Sequence, residues 1–444
     1  MKDHASGLLP AALDALDSAG LTWALLREPV PGEAADGDVD VLVEDARSAE
    51  LDALLGRAGY QRLPGAGQGS HRFYLGYDAP RDEWLTLDVV TEVAFGRRLE
   101  FPTTVAADVL ARRRRVGGVA ALHPDDAFWH RLLHYLLDKR AVPPHGHAAL
   151  TELAAGADAV GPLARLIDDL QPGGRSAPAV LELVRTADLA ALGALAADVR
   201  RAWRRRDRRR VWTRVLRSRL ARAHLAEPAP TDSTGRATPA WSPGHRASGV
   251  VAQDPGRRLA QGRTVAILGP DGAGKTTLAE ALTRSLPLPT RLVYMGVWRD
   301  YPWDRWLRLV PGARLAARWA RLTARSLESS YHRRRGRVVL LDRFTYDAAL
   351  PSDDLDWRGK VTVAVTRRLA RSPDAVLLLD APAEVMYARK GEQGLTVLER
   401  DRAAYLRLVA DHARATVIDA TLPADRVRAH AHQALWTSLN AGEP

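Results

Sequence analysis

The chain has 444 residues, of which 46% are hydrophobic and 26% charged, a balance typical of a globular protein of two or three domains. It has no cysteine, which excludes disulfides, thiolate metal sites and cysteine catalysis. The net charge of +11 is common among nucleic-acid-binding proteins, but here it follows from an Ala- and Arg-rich composition, so nucleic acid is not the expected partner. Neither a leader pattern nor an apolar run of about 18 residues is present, and we expect a cytoplasmic protein.

Residues 1–144 are predicted to form an α+β domain. Within them, His123–Leu137 has apolar residues at helical spacing and is a predicted helix. Four short, apolar segments rich in β-formers are predicted strands. These strands are Thr22–Leu26, Val39–Val43, Arg72–Tyr77 and Trp84–Val90.

Three carboxylates fall on two of these strands. Asp38 and Asp40 flank Val39, so the two-residue period of a strand places both on one face. Asp88 lies in a second apolar strand. Three carboxylates on adjacent strands could hold Mg²⁺ for nucleotidyl transfer. Acidic strand residues also occur at solvent-facing edges, and both interpretations stay open.

Several motifs of this part, spread over about Ser6–Pro144, resemble a nucleotidyltransferase-fold family of bacterial proteins. They are Trp23–Arg27, Asp38–Asp40, Asp88, His123-Pro124, His134 and Lys139. The resemblance implies that the three carboxylates are Mg²⁺ ligands. The Gly-Ser motif with which that superfamily grips a triphosphate is missing, because Arg27-Glu28-Pro29 follows Leu26. The domain is therefore either an enzyme that uses Arg27 instead or a binding module.

Residues 145–226 are nearly all helix formers, with predicted helices at Ala179–Thr186 and Leu189–Arg200. The basic segment Arg200–Arg222 interleaves arginines with apolar residues, which keep helical spacing from Val211 onward. Such a helix either packs on its neighbours with its arginines in water or contacts acidic lipid headgroups or another phosphate-bearing polymer. Residues 227–262, rich in Pro, Gly, Ser and Thr, are a predicted flexible linker.

Residues 263–444 are predicted to form an α/β domain, with a parallel sheet flanked by helices. A buried-strand pattern at Thr264–Leu268 leads directly into GPDGAGKTT, and a helical pattern follows at Leu278–Leu286. In this arrangement, backbone N–H groups and the positive end of the helix dipole surround phosphates. Lys275 would reach the β- and γ-phosphates, and Thr276 would ligate Mg²⁺. The predicted nucleotide-binding residues are Gly269, Asp271, Gly272, Ala273, Gly274, Lys275, Thr276 and Thr277.

Two further strands are predicted to join this sheet. Val338–Leu341 precedes Asp342 and Ala375–Leu379 precedes Asp380, so each carboxylate follows the carboxyl end of a strand, where α/β folds bind ligands. Either carboxylate could face Mg²⁺ through water. Each could also cap the next helix.

Four segments in this order resemble the thymidylate kinase-like family of P-loop kinases over about Arg263–Trp436: GPDGAGKTT, LDRFTYD, LLLDAPAEVMYARKGE and VIDATLPADRV. The resemblance implies ATP as donor, Mg²⁺ as cofactor, and Asp342 and Arg343 beside the acceptor and the metal. It also implies that Arg389 and Lys390, in a polar loop at residues 389–396, close over the transferring phosphate. The alternative is that these two cations lie at a solvent-exposed helix end and have no role in phosphoryl transfer.

The resemblance places adenine contacts around Asp419, but the acceptor side departs from true thymidylate kinases. An Arg- and Trp-rich stretch is present there instead of a thymine-binding pattern. This stretch is either an amphipathic core helix or a surface that docks on a membrane or on an anionic lipid-linked substrate. Its residues include Trp303, Trp306, Arg308, Arg314, Arg318, Trp319, Arg321 and Arg325.

The leading hypothesis is an ATP- and Mg²⁺-dependent kinase for a small nucleotide or sugar-like acceptor, fused to a nucleotidyltransferase-like domain that is active or only binds substrate. One alternative is a nucleotide-gated switch or scaffold that docks on a partner or an anionic membrane surface. Another is a nucleic-acid kinase, whose binding would depend steeply on salt. An oligomer is compatible with the sequence.

Overall fold

The computed structural model describes residues 7–27, 38–64, 69–223, 259–295, 313–346, 357–410 and 412–440. The chain divides into two compact units. The first comprises residues 1–78 and 85–245, and the second comprises residues 79–84 and 246–444. None of the described helices combines the length and the apolar character needed to cross a bilayer.

The first unit contains a seven-stranded sheet in the order β3-β4-β5-β2-β1-β9-β8, and a two-stranded sheet of β6 and β7. In the large sheet, β1 is antiparallel to β2 and parallel to β9, while β2 is parallel to β5. The four predicted strands are present, with ends shifted by one residue or less. The strands are β1 Trp23–Leu25, β2 Val39–Val43, β3 Tyr60–Leu63, β4 Arg72–Asp78, β5 Glu83–Val90, β6 Ala94–Phe95, β7 Phe101–Pro102, β8 Arg114–Val116 and β9 Val119–Ala121.

Alternation along the central strands divides the apolar residues between the two faces of this sheet. Trp23, Leu25 and Val41 pack in one cluster, and Ala24 and Leu42 pack in the other. Successive strand side chains point to opposite faces, so a strand that is buried on both faces feeds two cores. The sheet is therefore a middle layer covered by helices on both sides.

The helices of the first unit are α1 Leu8–Ser18, α2 Leu51–Arg57, α3 Ala106–Ala111, α4 Pro124–His134, α5 Pro144–Ala155, α6 Pro162–Leu170, α7 Ala177–Arg185, α8 Leu189–Arg206 and α9 Arg208–Ala223. Short 3₁₀ segments occur at Asp45–Glu50 and Pro172–Gly174. The predicted helix His123–Leu137 is α4 followed by a π-helical segment, Tyr135–Lys139. Its start follows from His123, whose side chain accepts the Asp125 N–H, and from Pro124 in the first turn.

A single core extends across the predicted boundary between residues 1–144 and 145–226. It contains Ala24 and Phe128 from the first segment and Leu163, Val180 and Trp203 from the second. The helices at residues 144–206 have one apolar face each, and they bury it against α4 and its neighbours. The helical segment is therefore part of the first unit and not a separate body.

The second unit contains a five-stranded sheet in the order β11-β12-β10-β13-β14, in which every neighbouring pair is parallel. The strands β10, β12 and β13 match the three predicted ones to within one residue at each end. The bounds are β10 Arg263–Leu268, β11 Thr290–Tyr294, β12 Val338–Asp342, β13 Ala375–Asp380 and β14 Ala415–Asp419. All six residues of β10 are buried, as expected for the central strand of a sheet covered on both faces.

The described helices of the second unit are α10 Lys275–Ser285, α11 Ala313–Arg334, α12 Trp357–Leu369, α13 Ala383–Lys390, α14 Leu395–Ala410 and α15 Ala424–Asn440. Most of the predicted linker lies outside the described residues. Its described end belongs to the second unit, because Leu259 is buried and its N–H donates to the Gly336 carbonyl oxygen. The Gly262 N–H likewise donates to the Arg333 carbonyl oxygen.

Asp374, just before β13, joins three elements of the second unit. Its Oδ2 accepts hydrogen bonds from the backbone N–H of Thr264 at 2.7 Å, the Thr264 hydroxyl at 2.8 Å and Arg333 Nε at 3.1 Å. Burial alone would raise the pKa of Asp374, but the bonds from Arg333 and Thr264 lower it below its ordinary value. The carboxylate therefore holds the start of β10 against β13 and α11.

We expect Asp374→Asn to lower the free energy of unfolding of the second unit by about 1–3 kcal/mol at neutral pH. The folded-state pKa lies below the unfolded one, so this contribution is present at neutral pH and is lost as the pH falls through the folded-state pKa. Denaturant unfolding at neutral and acidic pH measures both effects. Glu280→Gln, at an exposed ion pair with Arg284, is the control and should change little. If the variant lost as much free energy of unfolding at acidic pH as at neutral pH, the role of the ionised carboxylate would be contradicted.

Candidate nucleotide-binding site

The loop between β10 and α10 has glycines at the positions where side chains would not fit. Gly272 has φ 88°, and a Cβ there would collide with the carbonyl oxygen of Met386. At Gly269, a Cβ would lie 2.6 Å from the carbonyl oxygen of Leu379. Gly274, at φ 94°, is the N-cap of α10. The loop therefore lies directly against β13 and α13, and its N–H groups stand at the N-terminus of α10.

Lys275 is the first residue of α10, and its side chain is buried within the loop. Its Nζ donates to the carbonyl oxygens of Gly269 and Pro270, each at 2.7 Å. Only 7% of the residue is exposed. The ammonium group is thus held by two backbone oxygens of the loop whose phosphate-binding role the sequence predicts.

Asp271 is surrounded by cations from three different elements. Its Oδ1 lies 2.8 Å from Arg343 and 3.7 Å from Lys275, and its Oδ2 lies 3.5 Å from Lys390. Burial would raise the pKa of Asp271, but the charges of Arg343, Lys275 and Lys390 lower it. We refer to these four residues as the Asp271 cluster. The sequence placed Asp271 in the nucleotide loop but gave no sign that it collects these charges.

Thr276 and Asp342 form a second polar pair at the same edge of the sheet. The Thr276 hydroxyl donates to Asp342 Oδ2 at 3.3 Å. Asp342 is 8% exposed, and its other oxygen, Oδ1, is buried and accepts no hydrogen bond from the residues that the structure describes. A hydroxyl and a carboxylate oxygen are hard ligands of the kind that Mg²⁺ prefers. The pair therefore fits the predicted magnesium position.

Arg343 follows β12 in a left-handed backbone conformation, with φ 65°. This conformation is uncommon for a residue with a side chain. It lets Asp342 face Thr276 while the guanidinium of Arg343 turns to Asp271. The predicted Asp-Arg pair therefore contacts the loop with both of its members.

The predicted polar loop at residues 389–396 is wrong in its first two residues and in its last two, Leu395 and Thr396, which begin α14. Arg389 and Lys390 form the last turn of α13, because the preceding residues favour a helix and Gly391, at φ 66°, ends it. Arg389 donates to the Ala420 carbonyl oxygen at 2.9 Å, after β14, whereas Lys390 reaches Asp271. The two predicted lid cations are thus separated, and only Lys390 lies at the loop.

Asp419 and Asp380 end neighbouring strands in register. Asp419 is exposed and accepts hydrogen bonds from the N–H and the hydroxyl of Thr421, at 2.8 and 2.6 Å, which shapes the turn after β14. Asp380 binds Arg402 through both carboxylate oxygens, at 2.7 and 3.0 Å, and does not cap α13. The sequence missed Arg402, since nothing in its spacing separates it from other arginines.

Comparison with known proteins identifies the family. A curated thymidylate kinase from Xanthomonas oryzae pv. oryzae (strain PXO99A) is 32% identical over 204 residues, which cover 40% of this chain and 85% of that protein. A thymidylate kinase from Xanthomonas euvesicatoria pv. vesicatoria (strain 85-10) is 32% identical over 202 residues, with the same shares.

The chain belongs to the thymidylate kinase family. Its P-loop region is therefore that of a nucleotide kinase, a phosphotransferase. A solved structure of deoxyadenosine kinase from M. mycoides, with products bound, matches 39% of this chain and 99% of its own with 15% identity and a TM-score of 0.31. No protein-family model matches the chain.

The acceptor side of this thymidylate kinase family member is described in part. Trp303, Trp306 and Arg308 lie outside the described residues. In α11, Leu322 is buried and Trp319 Nε1 donates to the Thr366 hydroxyl of α12 at 3.3 Å, as in a core helix. Further along α11, the guanidinium of Arg325 lies 5.5 Å from the centre of the Tyr294 ring, a cation–π contact.

The three carboxylates of the first unit do not form an open metal site. Asp40 and Asp88 lie on adjacent strands, as predicted, and these strands pair in parallel with the two residues in register. However, Arg27 Nε donates to Asp40 at 2.6 Å and the His71 ring nitrogen lies 2.8 Å from Asp88. Within the described ranges, no three His, Asp or Glu residues are arranged to hold a metal ion, so the predicted ligand set of Asp38, Asp40 and Asp88 is not assembled. Contacts with the protein's own side chains occupy two of these carboxylates instead.

Lys275→Ala should weaken ATP binding roughly ten- to hundredfold, because hydrogen bonds to charged groups are worth about 1.5–3 kcal/mol. Calorimetric titration of the full chain with ATP and Mg²⁺ measures the dissociation constant. Arg284→Ala is the matched control, since it removes an exposed cation from the same helix, α10, and should leave binding unchanged. Equal losses of ATP affinity in both variants would mean that the substitutions disturb the fold of α10, and that Lys275 has no particular role in binding the phosphates.

Proposed function

We propose that the second unit transfers the γ-phosphoryl group of ATP to a phosphate oxygen of a nucleoside monophosphate, with thymidylate as the first candidate acceptor. The observation that carries the proposal is the meeting of the Thr276–Asp342 pair and the Asp271 cluster at the carboxyl edge of β10 and β12. The printed names of the relatives support thymidylate as the acceptor to test first.

The reaction requires alignment and neutralisation of charge more than covalent chemistry. An oxygen of the acceptor phosphate forms a bond to the γ-phosphorus, while the bond from that phosphorus to the bridging β–γ oxygen breaks. ADP leaves with the electron pair of that bond, and the monophosphate becomes a diphosphate. An ionised phosphate oxygen needs no base, whereas the hydroxyl of a sugar-like acceptor would also have to lose a proton.

Each residue of the site has a role that follows from its position. The loop N–H groups and Lys275 bind the donor phosphates, and Arg343 and Lys390 offer positive charge beside them. These cations stabilise the transition state where negative charge spreads over the transferring group. Asp271 holds the cations in place from the loop side.

Thr276 and Asp342 are the residues that would hold Mg²⁺. When bound there, the ion would neutralise part of the negative charge of the ATP phosphates. The buried Oδ1 of Asp342, which accepts no hydrogen bond from the described residues, supports this assignment. One carboxylate and one hydroxyl are enough, because Mg²⁺ in kinases takes its other ligands from phosphates and water.

Radiolabelled γ-phosphate should pass from ATP to thymidylate or to another member of a panel of nucleoside monophosphates, nucleosides and sugars. Lys275→Ala and Asp342→Asn should each lower kcat by about 10²–10³-fold, the usual cost of losing one group that stabilises the transition state. Arg284→Ala should keep the wild-type rate. A blank panel, with ATP binding intact, would contradict the kinase proposal and favour a nucleotide-gated switch.

For the first unit we propose a nucleotidyltransferase-like module that binds substrate. Its support is the parallel pairing of Asp40 with Asp88 and the approach of Arg27 to Asp40. Burial raises the pKa of Asp40, the negative charges of Asp88 and Asp38 add to this, and Arg27 opposes it. An arginine beside a buried carboxylate can exchange that partner for an anionic ligand.

Asp40→Asn should leave phosphoryl transfer by the second unit within about twofold of wild type, because Asp40 belongs to the first unit and is not part of the Asp271 cluster or the Thr276–Asp342 pair. The same variant should remove any transfer of labelled nucleotide from α-labelled ATP. Parallel assays with γ- and α-labelled ATP separate the two activities. Loss of both activities in this variant would mean that the two units act as one coupled site. If the wild-type protein transfers nucleotide from α-labelled ATP, the first unit is an enzyme and not only a binding module.

A further inference from the structure

Helix α9 of the first unit exposes an apolar stripe. Trp212 is 63% exposed, Leu216 38% and Leu220 59%. The three residues are four apart, so they lie along one side of the helix. Large apolar side chains in such a row are unusual on a surface that faces only water.

The opposite side of α9 is fixed to the first unit. Val211 and Ser218 are buried, and Arg214 forms an ion pair with Glu92 at 2.8 Å. The Arg214 guanidinium also donates to the Leu99 carbonyl oxygen at 3.2 Å. The stripe therefore faces outward because the helix is held by its other face, and not because it is loosely attached.

Positive charge surrounds the stripe and continues onto α8. Seven arginines are exposed and pair with no carboxylate of the described residues: Arg204, Arg205, Arg208, Arg209, Arg210, Arg217 and Arg219. Nearby, Arg201 and Arg206 do have partners, Asp198 and Asp169. Burial and the like charges of Arg140 and Arg204 lower the pKa of Arg200, as expected beside unbalanced positive charge.

Trp212 of the stripe and three of these arginines line one groove. Its walls include Arg204, Arg205 and Arg208 with Val211 and Trp212, between α8 and α9. Phosphate-sized anions and an apolar layer would thus be contacted side by side. We define the α9 surface as this groove together with Trp212, Leu216 and Leu220.

We propose that the α9 surface binds the face of an anionic phospholipid membrane. The arginines would contact lipid phosphates, while the tryptophan ring and the two leucines enter the boundary between headgroups and acyl chains. A basic helix with an apolar side is the element that lies in a membrane interface, and tryptophan favours that depth. Each basic residue near an anionic leaflet adds to the attraction, and long arginine stems let the charges remain at the headgroups.

Other occupants fit the α9 surface less well. A nucleic acid would match the arginines, but its phosphates would not cover the two leucines of the stripe. The chain segment that follows α9, residues 224–258, has four basic and three acidic residues and so lacks the complementary charge; they are Arg236, Arg246, Arg257 and Arg258, and Glu227, Asp232 and Asp254. A second copy of the chain would bring the same positive charge against this one.

The full chain should sediment with vesicles of phosphatidylcholine and phosphatidylglycerol and not with vesicles of phosphatidylcholine alone. The stripe variant Trp212→Ser, Leu216→Gln, Leu220→Gln should lower the partition coefficient at least about tenfold, since it removes the apolar area that would be buried. The charge variant Arg204→Gln, Arg205→Gln, Arg208→Gln, Arg209→Gln should lower it similarly, and added salt should weaken wild-type binding.

The control variant Val160→Gln, Arg57→Gln, Arg165→Gln removes exposed apolar and basic side chains elsewhere on the first unit and should sediment like wild type. Circular dichroism checks that all variants are folded. Equal sedimentation of the stripe variant and wild type would overturn the proposal. So would tight binding to DNA or RNA that the stripe variant retains in full, or wild-type self-association through the stripe without binding to vesicles.

Discussion

The parallel pairing of β10 with β12 and β13 is the constraint on which the site of the second unit depends. Ile267 of β10 stands opposite Asp342, and Leu268 stands opposite Leu378 of β13. Because parallel strands end at the same edge of a sheet, the nucleotide loop and Asp342 leave the sheet at one place. A slip of one residue would turn Asp342 to the other face and away from Thr276. Burial of β10 on both faces makes such a slip costly, so the core fixes the geometry of the site.

Charge within this frame is arranged for an anionic ligand. Lys275, Arg343 and Lys390 would repel one another if they met without a counter-charge, and the carboxylate of Asp271 supplies it. The cations come from α10, the loop after β12 and the end of α13, which are far apart in sequence. A phosphate chain that enters the loop therefore meets positive groups that are already positioned, and the protein need not gather them during the reaction.

Local patterns could be predicted and long-range pairings could not. Strand, glycine loop and helix are adjacent in sequence, so the elements around Lys275 follow from backbone propensity and period alone. The sequence predicts that Asp40 and Asp88 lie on adjacent strands, but not that they pair in register. The ion pairs that Arg27, Arg402 and Arg343 form with carboxylates could not be predicted. The chain has 64 lysines and arginines, and their spacing does not indicate which carboxylate each one contacts. The end of α13 follows from the local signal of Gly391, whereas the extent of the first core depends on packing that a local pattern does not contain.

The same limit explains why the N-terminal carboxylates were interpreted as metal ligands. Their spacing shows which face of a strand they share, but not that Arg27 and His71 stand opposite them. Buried charges need a partner, and the sequence does not say whether that partner is a metal ion or another side chain.

The contact between Gly272 and α13 has a mechanical consequence. The backbone of the nucleotide loop lies against the Met386 carbonyl oxygen without room for one methyl group, and Lys390 is on that same helix one turn further on. The nucleotide loop and α13 are therefore packed tightly together. The position of the Lys390 ammonium group depends on how the loop backbone packs against this helix. A side chain at position 272 would push the loop and α13 apart. It would therefore displace the charge of Lys390 at the end of the helix as well as distort the loop.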